Sequence, residues 1–258
     1  MRQLMKGLRD LGLVRKTKQL LTDNGNQDMT TLDINRHVDV FSPDGFDSKT
    51  IDVIGAGATG SRIVLSLAKL GLLNIRVWDF DAVEAHNIAN QAYSLSDIGK
   101  LKVEALQKLV KEQTGTKIEI RPEAVDGSQE LGDVVFLLTD TMASRKEIWK
   151  KGLRYKARTR LMIETRMGSD EGRVYTIEPK RPKQVKGWEE TLYDDVEAEV
   201  SACGTSISVG PTAEYLSGLA VWQFIRWHAI NSKQVEDKVD HELIFGMRAP
   251  FIISRSFE

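Results

Sequence analysis

The chain has 258 residues, 41% hydrophobic and 28% charged, enough to bury a substantial core in one large domain or in a domain with appendages. Basic and acidic residues nearly cancel, 36 against 37, which excludes a global field steering the chain to nucleic acid. A single cysteine, Cys203, excludes an internal disulfide and a multi-cysteine zinc site, and the four histidines lack the close spacing of a metal pair.

Residues 4–22 carry leucines at helical spacing among basic positions, and Asp23-Asn-Gly-Asn-Gln-Asp28 breaks the pattern. The expectation is a basic helical arm and linker over 1–30, appended to a domain over 31–258. The arm either packs on its own domain or binds a partner. It lacks the long apolar core of a signal peptide, so the expected compartment is the cytoplasm, or that of an infected host if the gene is mobile. A second short helix is expected near 31–41.

From Thr50 onward β and α patterns alternate. Strands are expected at 51–55, 74–79, 117–122 and 133–138, with helices at 59–71, 100–113 and 142–153. This alternation predicts a Rossmann-like, doubly wound α/β fold built on a parallel sheet with helices on both faces. Strands at 160–166 and 172–178, joined by a hairpin-like turn, would extend the sheet antiparallel. Residues 179–202 begin basic, turn strongly acidic after Trp188 and show no apolar period, so they read as an exposed crossing loop. A long helix over 209–230, started near Pro211, should turn Leu216, Ala220, Phe224 and Trp227 inward. The longest apolar run lies within 215–225, short of the ~20 residues needed to cross a bilayer. Short strands near 243–245 and 251–253 close the chain.

The most informative stretch is Ile51-Asp-Val-Ile-Gly55-Ala-Gly57-Ala-Thr-Gly60 and the helical pattern after it. Glycines at such a turn let the backbone approach a phosphate, and the helix's unpaired N–H groups and positive end favour the negative charge. The second strand ends in Asp79, where a carboxylate can bond ribose hydroxyls. That order points to a nucleotide and leaves NAD and ATP both open. Asp81, Asn87, Gln91 and Lys102 follow, a cluster that a dehydrogenase does not need. A site for ATP phosphates does need carboxylates for Mg²⁺ and a lysine for the oxygens. Asp140 lies just past the strand 133–138, at the carboxyl edge where open α/β sheets bind ligands. Thr139-Asp140 also precedes a helical pattern, so Asp140 could serve as a helix N-cap.

The joint pattern of Gly-x-Gly-x-x-Gly, Asp-x-Asp, Asn-x-x-x-Gln, Gly-x-x-Lys and Thr-Asp resembles the ThiF/MoeB/HesA superfamily, whose adenylating fold is shared with ubiquitin-activating enzymes. Glu164-Thr-Arg166-Met-Gly168 and a cysteine before a proline-initiated helix are similar to small bacterial and phage-encoded members. The resemblance implies ATP and Mg²⁺ as cofactors. Gly55, Gly57 and Gly60 would line the phosphate turn, Asp79 would hold the ribose, and Asp81 would sit near nucleotide or metal. Asn87, Gln91 and Lys102 would lie beside the phosphates. Asp140 would attend Mg²⁺ and the attacking carboxylate. Arg36 is similar to an N-terminal arginine that reaches a dimer partner's ATP, the alternative being a surface ion pair. The arginine usual before the motif's glutamine is replaced by Asn90, leaving its contact missing or supplied by Arg36, Arg62 or Lys100. Cys203 is either an inert small residue or, near a helix start, a nucleophile for a thioester.

The implied reaction is adenylation of the C-terminal carboxylate of a small ubiquitin-like or sulfur-carrier-like protein ending in glycine. A homodimer is expected, with no nucleic acid or membrane partner. An NAD-dependent oxidoreductase and a non-catalytic scaffold subunit of the same fold are the rival readings.

Overall fold

The computed structural model describes residues 32–195 and 208–258. The expected N-terminal arm and Cys203 fall outside the described residues. In chain order the elements are β1 (Ile51–Ile54), α1 (Gly60–Lys69), β2 (Ile75–Trp78), α2 (Lys102–Thr114), β3 (Glu119–Arg121), β4 (Val134–Leu137) and α3 (Met142–Ile148). After them come β5 (Leu161–Met167), β6 (Glu171–Ile177), α4 (Pro182–Glu189), α5 (Gly210–Asn231), β7 (Glu242–Gly246) and β8 (Phe251–Arg255).

The strands form one eight-stranded sheet in the order β3-β2-β1-β4-β5-β6-β7-β8. Every pairing from β3 to β5 is parallel, and every pairing from β5 to β8 is antiparallel. The mixed α/β fold with an antiparallel extension is therefore as the sequence predicts. β1 and β4 are buried along their whole length, as central parallel strands are; β4 is apolar throughout, while the one charge in β1, Asp52, is buried against the Arg76 guanidinium. Successive side chains serve opposite faces: Val53 joins a core under α1, α2 and α5 with Ile63, Leu106 and Phe224, while Ile54 joins a second core with Ile148, Trp149 and Trp188. Within α5, Leu216, Ala220, Phe224 and Trp227 all point inward, with Pro211 in the first turn, as expected.

Three local expectations need correction. Residues 34–41 form consecutive turns rather than a helix, closed by bonds such as His37 N–H to Ile34 O (3.1 Å) and Phe41 N–H to His37 O (2.9 Å). Only Phe41 is buried there, so no apolar stripe holds a helix against the core. The helix expected over 142–153 stops being α at Ile148 and continues to Leu153 as a π turn. The segment 179–202 is not simply a loop, because α4 occupies its first part and buries Val185 and Trp188 completely. Proline in the first turn and an apolar pair three residues apart build that helix, inside a charge run that conceals it.

Trp188→Ala should cost about 3–5 kcal/mol of stability by leaving a large void in the second core. Urea denaturation reads this directly, and a loss below about 1 kcal/mol would mean that the residue lies in an exposed loop instead.

Candidate functional site

The site is built where β1 turns into α1. Gly55 holds a φ of +102°, and a Cβ there would stand 2.7 Å from the Leu138 carbonyl oxygen on the neighbouring strand's end. A Cβ on Gly60 would fall 1.9 Å from the Gly55 carbonyl oxygen, so the turn closes only without side chains at these two positions. Gly57 is different: a Cβ there would meet nothing within 4 Å, leaving the backbone open to whatever approaches it. No side chain caps α1 and no acid sits in its first turn. Its positive end therefore faces this opening without an internal anion.

The segment after β2 is stitched to the glycine turn from several sides. The Tyr93 hydroxyl donates to Ala56 O (2.7 Å), Ala92 N–H to Ser61 Oγ (3.1 Å), and Ser61 Oγ to Gly57 O (2.8 Å). Arg62 Nη1 donates to Ala58 O (3.0 Å) and Asn90 O (2.6 Å). No sequence signal marks Tyr93 or Ser61, whose roles depend on contacts across some thirty residues. Of the cations offered for the missing arginine, Arg62 is the one brought to Asn90. Lys100 is exposed and pairs with Asp97 (3.0 Å). Segment 34–41 lies at the far end of α1, where Ile34 packs on Gly71, so Arg36 does not reach this chain's own glycine turn.

Asp79 lies where the sequence places it. Its Oδ2 accepts the Ala56 N–H (2.7 Å) and its Oδ1 the Asp81 N–H (2.9 Å), which binds the end of β2 to the turn. Burial pushes the Asp79 carboxyl up from its ordinary value, although both amides and the nearby Lys102 charge oppose the rise. Lys102 is buried at the start of α2 and donates from Nζ to Asp81 Oδ2 (2.7 Å). Asp79, Asp81 and Lys102 thus converge beside the turn. Asn87 is buried, and its Oδ1 is committed to the Glu84 N–H (2.9 Å) in a short 3₁₀ turn. By contrast, buried Asn90 Oδ1, Gln91 Oε1 and Thr139 Oγ1 have no hydrogen-bond partner among the described residues. Buried polar atoms without partners are costly, and these come from the two segments that border the opening.

Asp140 lies beyond the end of β4, next to β1, and is exposed. It is not the helix cap. Thr141 Oγ1 accepts the Ser144 N–H (3.3 Å), and the Asp195 carboxylate accepts the N–H groups of Met142 and of Ala143 (3.0 Å). The capping alternative is therefore corrected in favour of Thr141 and Asp195. Among the described residues no cluster of three or more His, Cys, Asp or Glu side chains is arranged to hold a metal unaided. A Mg²⁺ ion that arrives with phosphates needs only one or two carboxylates from the protein, and an exposed carboxylate such as Asp140 is of that chemical type.

The glycine geometry makes a paired prediction. Gly60→Ala should destabilise the fold by more than about 2 kcal/mol, whereas Gly57→Ala should change stability by under about 1 kcal/mol. Equal losses in thermal or urea unfolding would contradict the assigned roles of the two glycines.

No helix among the described residues is long and apolar enough to cross a membrane. The chain is 38% identical over 77 residues to the NEDD8-activating enzyme E1 catalytic subunit of Arabidopsis thaliana, a match covering 30% of this chain and 17% of that protein. It is 41% identical over 61 residues to tRNA threonylcarbamoyladenosine dehydratase 2 of Saccharomyces cerevisiae, covering 23% of this chain and 14% of the relative. The match thus spans less than a fifth of either relative's length. Among solved structures, selenomethionine PaaA superposes with a TM-score of 0.69 at 16% identity, over 99% of this chain and 81% of PaaA. E. coli MccB with AMPCPP and MccA superposes with a TM-score of 0.62 at 14% identity, over 83% of this chain and 65% of MccB. At these identities the superpositions establish a shared fold. The family model "ThiF family" matches residues 35–243, and the chain belongs to the ThiF family.

Proposed function

We propose that this chain is an ATP-dependent adenylyltransferase acting on the C-terminal carboxylate of a small ubiquitin-like or sulfur-carrier-like protein. The observation that carries the reading is the juxtaposition at one sheet edge of an uncapped helix start behind Gly57, the Lys102–Asp81 pair and Asp140. The family membership and the names of two relatives support it: one is an E1 catalytic subunit, and MccB was solved with an ATP analogue and MccA.

In this reading the substrate carboxylate attacks the α-phosphorus of ATP. A new carboxyl O–P bond forms as the bond to pyrophosphate breaks, and the pyrophosphate leaves with the electron pair. The chain's residues provide position and charge. The α1 amides at Gly57–Gly60 would receive phosphate oxygens. Asp79, held by Ala56 and Asp81, would accept ribose hydroxyls. Lys102 would neutralise charge that builds on the phosphoryl oxygens, leaving Asp81 as it does so. Gln91 Oε1 and Thr139 Oγ1 would find their partners on ligand or water. Asp140 would hold Mg²⁺, which supplies Lewis-acid neutralisation of the phosphates when bound. The proposal extends to a homodimer in which Arg36 acts on the partner's nucleotide, and to transfer of the acyl group onto the Cys203 thiol. Asn90, in place of the usual arginine, favours as a second reading a nucleotide-binding subunit that has lost catalysis.

ATP–pyrophosphate exchange in the presence of a small protein ending in glycine separates these readings. Adenylation requires exchange that falls about 10²-fold or more in Lys102→Ala and Asp140→Ala. Nucleotide binding without exchange for any such partner would favour the non-catalytic subunit. Full exchange in Asp140→Ala would remove that residue from the mechanism. A thiol-labile adduct absent from Cys203→Ser would establish the thioester step, and its persistence in that variant would exclude it.

A further inference from the structure

Glu164, on β5, has no exposed surface and receives hydrogen bonds from Arg145 Nη1, Arg166 Nε (2.7 Å), Arg166 Nη2 (3.1 Å) and Trp188 Nε1 (2.7 Å). Both arginines are themselves buried, so two guanidiniums share one carboxylate inside the fold. Burial pushes the Glu164 carboxyl up, yet the two positive neighbours outweigh it and hold the group below the ordinary carboxylate range. Burying three charges is costly before pairing, and well-packed apolar residues often serve stability as well. The destinations of the remaining N–H groups show what the triad holds.

Arg145 Nε donates to Thr139 O (2.9 Å), and Nη2 reaches the same oxygen. Arg166 Nη1 donates to Thr191 O (2.6 Å) and Nη2 to Thr191 Oγ1 (3.1 Å). Thr139 is the residue before Asp140. Thr191 begins the strand of chain that runs through Asp194 and Asp195 toward residues 196–207. That strap returns to α3: Asp195 receives the Met142 and Ala143 amides, and Asp194 pairs with Lys146 (2.8 Å). The connections form a closed circuit from Thr139 through Arg145, Glu164, Arg166, Thr191 and Asp195 back to the start of α3. Asp140 lies on that circuit.

We propose that Arg145 and Glu164 are positioning residues that fix the Asp140 backbone and the strap at 191–195 to each other, so that the two are set or released as one unit. The catalytic consequence rests on the adenylation reading above; the mechanical coupling does not.

Arg145→Lys tests it, since one ammonium keeps the charge but cannot span Glu164 and Thr139 as the fork does. Hydrogen exchange of the unliganded variant should quicken together, by about tenfold or more, in peptides covering 138–144 and 189–195, with β1 and α1 unchanged. Exposed Asp195→Asn leaves the buried triad intact and should quicken 138–144 as well, which keeps the test available if Arg145→Lys folds poorly. With MgATP as probe, the nucleotide-induced rise in Tm should persist in Arg145→Lys. If the wild type shows exchange, its kcat should fall about 10²-fold in the variant with KM for ATP little changed. Loosening of only one segment, or of the whole chain evenly, would overturn the coupling. Absence of exchange in the wild type would count against the adenylation reading alone and leave the hydrogen-exchange result to decide the coupling.

Discussion

Gly60 approaches the Gly55 carbonyl so closely that no side chain fits at Gly60, and Gly55 itself sits under the end of β4. The rest of the site depends on this constraint. With both positions filled by hydrogen, β1 passes into α1 in one tight turn, and the helix start is aimed along the carboxyl edge of the sheet. The uncapped amides then need an external partner, since no acid lies in the first turn. Ser61, Arg62 and Tyr93 bind the turn to the segment after β2, so its position is set by that segment as well as by its own backbone. Rigid presentation of donors matters because preorganised groups need no rearrangement when charge develops.

The edge divides into two halves with different electrostatics. On the β2 side, Asp79 is fixed by two amides and Lys102 by Asp81, so the cation is held close but on an exposed partner that it can exchange for a phosphate. On the β4 and β5 side, a carboxylate with no solvent exposure anchors two arginines whose outer N–H groups hold main-chain oxygens. The first half suits a ligand that comes and goes. The second resembles a fixed frame, because breaking any one of its buried pairs leaves an unpaired charge.

Much of this frame was legible in sequence, for identifiable reasons. Glycines at fixed offsets after a short β-rich segment announce a turn that only they can make, and the unbroken apolar run of β4 suits the middle of a parallel sheet. Asp79, Asp81 and Lys102 are close along the chain to elements whose order is forced, so their convergence followed from topology. Tyr93 and the Arg145–Glu164 pair were not legible, because their partners lie 37 and 19 residues away and no periodicity encodes such contacts. Helix α4 was hidden by the lysines around its apolar pair. The turns at 34–41 carried helix-forming residues without an apolar face to stabilise them.

The central claim is that the glycine turn and Lys102 are built for the phosphates of ATP. Backbone amide NMR during titration tests it most directly, with Ala56, Gly57 and Gly60 as reporters and MgATP and NAD as the competing ligands. The account predicts saturable shifts at all three amides with MgATP, attenuated in Lys102→Ala. Shifts with NAD and none with MgATP would contradict it.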